Sequence, residues 1–141
     1  MQNQFRISYV EKPAESAWGI IGQGINEFND QKGGAQNSRT ICFAVYDPDQ
    51  KIVGGIVTQL YWDWLYIDLM WLREDLRKKG YGSCLLKAAE DEARKHGAKQ
   101  AYLDTFSFQA PEFYKKHGYE EFGVLPEFPA GHKRFFFTKA L

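Results

Sequence analysis

The run Arg77-Lys78-Lys79-Gly80-Tyr81-Gly82 brings three cations and two glycines together between an apolar segment and an amphipathic one. If the first is a strand and the second a helix, the turn's amide N–H groups stand at a helix N-terminus. There the first four lack intrahelical partners and can donate to an anion. A side chain at Gly80 or Gly82 would hold the anion's oxygens off the backbone or forbid the dihedral angles required. Phosphate binding is the chemistry this pattern offers, although an isolated RxxGxG also serves as a plain connection. The run lacks the GxxxxGK[ST] of nucleoside triphosphate loops and the full GxGxxG of dinucleotide folds, and no acid stands about 20 residues downstream at the end of a following strand to hold a ribose; Asp104, the nearest candidate, falls mid-strand. A second chemical feature is Asp68, the one charged residue in the apolar stretch 65–72. An unpaired carboxylate is costly to bury, so Asp68 either finds partners or holds its proton tightly, and the second would suit a general base. On an alternating strand it shares a face with Tyr66, Met70 and Leu72, looking toward a cleft or a neighbouring loop.

Periodicity supplies the elements that must position these groups. Residues 5–10 alternate in polarity as a first strand, and 17–29 carry Trp18, Ile21, Ile25 and Phe28 at helical spacing. A polar, glycine-containing loop over 29–38 could border a substrate site. Segments 40–46 and 52–61 flank Asp47-Pro48-Asp49-Gln50, a composition that predicts an antiparallel hairpin. The stretch 65–72 reads as a central strand covered on both faces. Residues 83–96, with Leu85, Leu86, Ala89 and Ala93 on one face and Gly97 after them, predict a helix. A strand over 100–108 follows, then a short helix opened by Pro111 and closed by Gly118, and strands over 119–124 and 133–139.

At 141 residues the chain suits one domain, 1–141, with enough surface removed from water for a real core. The hydrophobic fraction of 44% and aromatic fraction of 16% argue against disorder. Eighteen basic residues balance eighteen acidic ones, so no global field draws the chain to nucleic acid or an anionic membrane. Cys42 and Cys84 form neither a disulfide framework nor a zinc pattern, and free thiols in a reducing compartment are expected. Without a charged leader or an apolar span, the reading is a soluble, cytoplasmic protein.

Taken with its flanking elements, the turn resembles the GNAT superfamily of acyl-CoA N-acyltransferases over residues 40–141. The family's acetyl-CoA motif is Arg or Gln, two residues, Gly, one residue, then Gly or Ala, and Arg77, Gly80 and Gly82 meet it in full. A second signature, an aromatic-Tyr pair before a Gly-aromatic pair, is matched by Phe113-Tyr114-Lys115-Lys116-His117-Gly118-Tyr119. The first 40 residues match only in outline. The resemblance implies an α+β fold: a mixed, mostly antiparallel twisted sheet of six or seven strands with helices on both faces, split between strands 65–72 and 100–108. It implies that the backbone of Met70, Trp71 and Leu72 pairs with the pantetheine arm of acetyl-CoA. It further implies that Arg77, Lys78, Lys79, Gly80, Tyr81, Gly82 and Ser83 hold the pyrophosphate.

The implied activity is N-acetyl transfer to a primary amine of a small molecule or peptide by direct attack, with no metal. Such a site needs a donor for the carbonyl oxygen, a proton for sulfur and an acceptor for the amine proton. The resemblance puts Tyr114 where it protonates the leaving thiolate, a task that suits a phenol; in isolation Tyr114 would read as a core tyrosine. Asp68 is the candidate base, although many relatives relay this proton through water. Asp104, Thr105 and Ser107 make their strand polar toward its end, as a splayed strand would be, or serve as turn hydrogen-bonding groups. Tyr61, Trp62, Trp64 and Phe28 could line an acceptor pocket, or pack in the core as aromatic runs more often do. Cys84 is expected to pack, and His96, His117 and His132 to be solvated surface residues. A non-catalytic acyl-CoA sensor and a nucleotide-binding module are the alternatives; a pure binder has no use for Tyr114, and the incomplete phosphate loop counts against the nucleotide. Exposed edge strands and the aromatic surplus leave room for a homodimer.

Overall fold

A computed structural model describes residues 4–141, which divide into two units, one ending at Gln36 and one spanning Asn37–Leu141. The first holds a 3-10 turn, Pro13–Glu15, and helix α1, Trp18–Gly33. No residue of α1 is buried, so this unit forms no core of its own. Helix α1 runs on past the predicted end at 29, because no glycine or proline intervenes before Gly33, and Gly34, at a positive φ of 86° that side chains disfavour, ends it. The predicted strand over 5–10 is not formed. A strand exists only as part of a ladder, and this unit has no second strand to pair with.

In the second unit six strands form one sheet in the order β1-β2-β3-β4-β6-β5. They are β1 Arg39–Tyr46, β2 Ile52–Tyr61, β3 Trp64–Leu72, β4 Gln100–Phe106, β5 Glu120–Pro126 and β6 Lys133–Ala140. Every neighbouring pair is antiparallel except β3 and β4, which are parallel and so require a crossover. Helix α2, Tyr81–Lys95, makes it, and α3, Pro111–Lys116, follows β4. The β1–β2 turn is the predicted one: Asp47 Oδ1 accepts the amides of Asp49 and Lys51 at 2.8 and 2.9 Å. Helix α2 buries Leu85, Leu86, Ala89 and Ala93, as its periodicity requires, in a core with Ile56, Leu65, Ile67, Leu103 and Phe137. Glu90 on the same helix is also buried and accepts from Tyr119 Oη at 2.7 Å and Lys139 Nζ at 2.9 Å, joining α2 to the start of β5 and the end of β6. Among the described residues no helix is long and apolar enough to cross a membrane.

Strand β3 departs from the expectation that both its faces are covered. Val57 pairs with Leu69 and Thr58 with Ile67, so Asp68 is an inserted residue without a partner in β2. This bulge resets the alternation. Ile67 is buried, Asp68 and Leu69 are both exposed, and Met70 and Leu72 return to the core side. Asp68 therefore does not share a face with Met70 and Leu72, and it carries no burial cost.

Candidate active site

The parallel ladder between β3 and β4 ends at Ile67 and Leu103, yet β3 continues to Leu72 and β4 to Phe106. Beyond the bulge, β3 is paired to β2 along one edge from Leu69 to Leu72. Its other edge opens on a cleft of about 810 Å³, which Met70, Trp71, Leu72, the glycine turn and the first turns of α3 line. The split predicted between these two strands is present.

At the mouth of this cleft α2 begins with Gly80 at its N-cap, and no side chain caps it. The first amide with a helical partner is that of Cys84, which donates to the Gly80 carbonyl at 3.1 Å. The amides of Tyr81, Gly82 and Ser83 thus carry the positive end of a 15-residue helix without an intrahelical acceptor. The two glycines serve different needs. A Cβ at Gly80 would meet open space, but its φ of +90° is one that L side chains rarely adopt. A Cβ at Gly82 would stand 3.2 and 3.3 Å from the Phe113 ring, so this position lets α3 pack against the first turn of α2. Arg77 Nε donates to the Leu72 carbonyl at 3.0 Å and fastens the turn to the end of β3, while Lys78 and Lys79 are exposed.

Tyr114 lies on α3 and is buried, its ring edge-on to Phe113 and Tyr119. Its hydroxyl points at Met70 Sδ, 3.5 Å away, which places the phenol against the open edge of β3. Burial, with a lesser contribution from the negative charge of Asp104, pushes its pKa up to about 12, so the proton is held throughout the neutral range. A further contact at this end of the cleft was not legible in the sequence. His117, expected at the surface, is partly buried, with Nδ1 2.8 Å from the Phe113 carbonyl and Nε2 2.9 Å from Ser83 Oγ. The signal available in retrospect is its i+4 spacing from Phe113, which an ordinary surface histidine could share. Cys84, expected to pack, is exposed in the first turn of α2.

The acids divide. Asp68 is exposed on the bulge. Asp104 accepts from Arg134 Nε and Nη2 at 2.9 and 2.6 Å and from Tyr66 Oη at 3.1 Å. The Arg134 guanidinium lies 5.0–5.5 Å from the rings of Phe106, Phe128 and Phe136. Burial and then the Asp104 charge push the Tyr66 phenol up to about 12, and Asp68 adds to this. Thr105 and Ser107 hold the turn after β4: Thr105 Oγ1 donates to Gln109 Oε1 at 3.2 Å, and Ser107 Oγ accepts from the Lys133 amide at 3.0 Å. Tyr61, Trp62 and Trp64 line a separate hollow of about 430 Å³ with Tyr102, Phe122 and Thr138, which shares no residue with the cleft. Phe28 belongs to the first unit.

Comparison with known proteins points the same way. The profile of the acetyltransferase (GNAT) family matches residues 7–119. The blasticidin-S acetyltransferase of Streptomyces morookaense is 38% identical over 82 residues, which span 57% of this chain and 60% of that protein. A crystal structure of an acetyltransferase from Bacillus cereus ATCC 14579 superimposes with a TM-score of 0.85 at 36% identity, covering 98% of each chain. An acetyltransferase from Bacillus anthracis str. Ames, solved in complex with acetyl coenzyme A, has a TM-score of 0.63 at 20% identity over 72% of this chain and 62% of that one, a likeness of fold.

Proposed function

Because the chain belongs to the acetyltransferase (GNAT) family, we propose that it is an N-acetyltransferase that takes the acetyl group of acetyl-CoA, bound in the β3–β4 cleft, to a primary amine of a small molecule or peptide in a ternary complex. One observation carries this reading: a single cleft is bordered by an unpaired strand edge, an uncapped helix N-terminus and a buried, protonated phenol. Bound there, acetyl-CoA supplies an acetyl thioester. Its binding to a related fold supports the choice of donor.

Each part of the cleft suits one part of that donor. The amides of Tyr81, Gly82 and Ser83, with Arg77, Lys78 and Lys79 beside them, suit a diphosphate, which accepts several N–H donors at once. Gly80 holds the turn in the required conformation. The exposed edge at Met70, Trp71 and Leu72 suits an amide-bearing chain that adds as a strand would. The β4-facing backbone amides of β3 beyond Ile67, where its ladder to β4 ends, are the candidate donors to a carbonyl oxygen. Tyr114 Oη, against this edge, holds a proton for a departing sulfur. Asp68 is the candidate acceptor of the amine proton; its exposure favours a proton passed through water over direct abstraction.

Thermal unfolding with and without acetyl-CoA tests the reading, with ATP and NAD as controls. At about 100 times its dissociation constant a ligand adds about 2.7 kcal/mol. The expected result is a shift with acetyl-CoA alone that shrinks in Gly80→Ala. No shift with folded wild-type protein at saturating acetyl-CoA would overturn it. Blasticidin S is the first acceptor to try, on the strength of the relative named for it.

A further inference from the structure

One polar bridge that the acyltransferase reading does not use crosses from α3 to the glycine turn. It runs from the Phe113 carbonyl through the His117 ring to Ser83 Oγ. A carbonyl oxygen only accepts, so His117 Nδ1 carries a proton in either charge state of the ring. In the neutral ring Nε2 is then bare and accepts the Ser83 hydroxyl proton. In the imidazolium Nε2 donates, and the Ser83 proton is released to another acceptor. Ser83 is the third residue of α2, partly buried, and lines the cleft beside the unpaired amides. We infer that His117 is a positioning residue that aims the Ser83 hydroxyl, so that the cleft holds a diphosphate more tightly when the ring is protonated. This inference rests on the acyl-CoA reading of the same cleft and adds a proton linkage to it.

The imidazolium acts twice. It turns the Ser83 O–H toward a phosphate oxygen, where the bond is charge-assisted, and it sets a positive charge one hydrogen bond from the helix start. The neutral ring takes the proton back and leaves only hydroxyl lone pairs facing the anion. The charged groups around the ring favour an anion-dependent switch. On α2 the first turn holds no acid, Lys87 is paired with Asp91, and Glu90 is taken by Tyr119 and Lys139. On α3 Lys115 is paired with Glu112, and Lys116 adds a second cation to the last turn. A Cβ placed on Gly118 would stand 3.6 Å from the Lys139 stem. No carboxylate among these groups contacts the imidazolium, so a bound diphosphate is the negative charge that would stabilise it. By linkage, whatever the proton does for the anion, the anion does for the proton.

Calorimetric titration with 3′-dephospho-coenzyme A tests this, because its diphosphate carries no group that titrates between about pH 6 and about pH 8, the range of an ordinary imidazole. Wild type is expected to bind about tenfold more tightly at the lower pH. Near neutrality it should take up a proton, read as a binding enthalpy that varies with the ionisation heat of the buffer. His117→Gln keeps an amide that reaches Ser83 but does not titrate, and should bind with a flat pH profile and no proton uptake. Ser83→Ala should lose most of the slope, keeping only what the charge of the remaining histidine contributes. Thermal unfolding without ligand checks that both variants are folded. A flat wild-type profile, a slope that survives in His117→Gln, or an undiminished slope in Ser83→Ala overturns the inference and leaves the acyl-CoA reading standing. No binding by wild type at either pH overturns that reading and the inference with it.

Discussion

At the scale of single residues the site depends on groups whose state the fold has altered. Tyr114 is the clearest: burial pushes its pKa up to about 12, which keeps the phenol protonated but makes it a weak acid toward water. In its proposed role it can still give its proton to a departing sulfur, because a thiolate forming in the same buried site is itself poorly solvated and more basic than in water. Tyr114→Phe removes that proton with little change of shape, and is expected to lower kcat about a hundredfold while KM for acetyl-CoA stays within about twofold. An equal loss in KM would assign Tyr114 to binding. Any loss of wild-type activity below pH 10 belongs to another group. Which residues could act was partly legible in the chain. Arg77, Gly80 and Gly82 stand in a spacing that backbone geometry explains, and the sequence therefore reveals it. Asp68 was visible as a lone acid but misplaced, because a one-residue bulge leaves no mark in a polarity pattern and still moves every later side chain to the other face. His117 was missed because its partners, a carbonyl and a serine on another helix, become neighbours only after folding.

Among the elements, function depends on how α2 and α3 are held against the sheet. Phe113 on Gly82 and His117, at the end of α3, on Ser83 lock α3 to the first turn of α2, so the phenol and the unpaired amides keep one spacing. At the other end Glu90 ties α2 to Tyr119, the residue after the helix-ending Gly118, and to Lys139. That carboxylate is buried with both partners satisfied, and an acid on the core face of α2 is not something a helical pattern predicts. Glu90→Ala leaves a buried phenol and a mostly buried ammonium without an acceptor, and is expected to cost about 3 kcal/mol. Urea unfolding measures it; a loss below about 1 kcal/mol would place the pair among weak surface bridges. The strand order was readable where turns announce themselves, as at Asp47-Pro48, and failed at residues 5–10, where alternation was present but no partner strand lies within the unit.

Over the whole molecule two expectations follow from burial. One domain over residues 1–141 is proposed on size: the segment up to Gln36 is below the roughly 40 residues at which a chain sustains a core by itself, and α1 buries none of its side chains in its own unit. A single calorimetric transition is the expected outcome, and two resolved transitions would divide the chain. The second expectation concerns alkali. Tyr66 and Tyr114 are raised to about 12, Tyr102 and Tyr119 are raised as well, and desolvation is the first cause in all four. A phenol whose folded pKa exceeds its unfolded value of about 10 stabilises the fold fully below pH 10. That stability is lost as pH climbs toward about 12, because the unfolded chain ionises first and draws the equilibrium toward itself. Absorbance at 295 nm should therefore show these four of the eight tyrosines ionising only together with loss of circular dichroism. If all eight ionise near pH 10 while the dichroism is unchanged, these rings are not shielded from water, and the protonated state assigned to Tyr114 loses its physical basis.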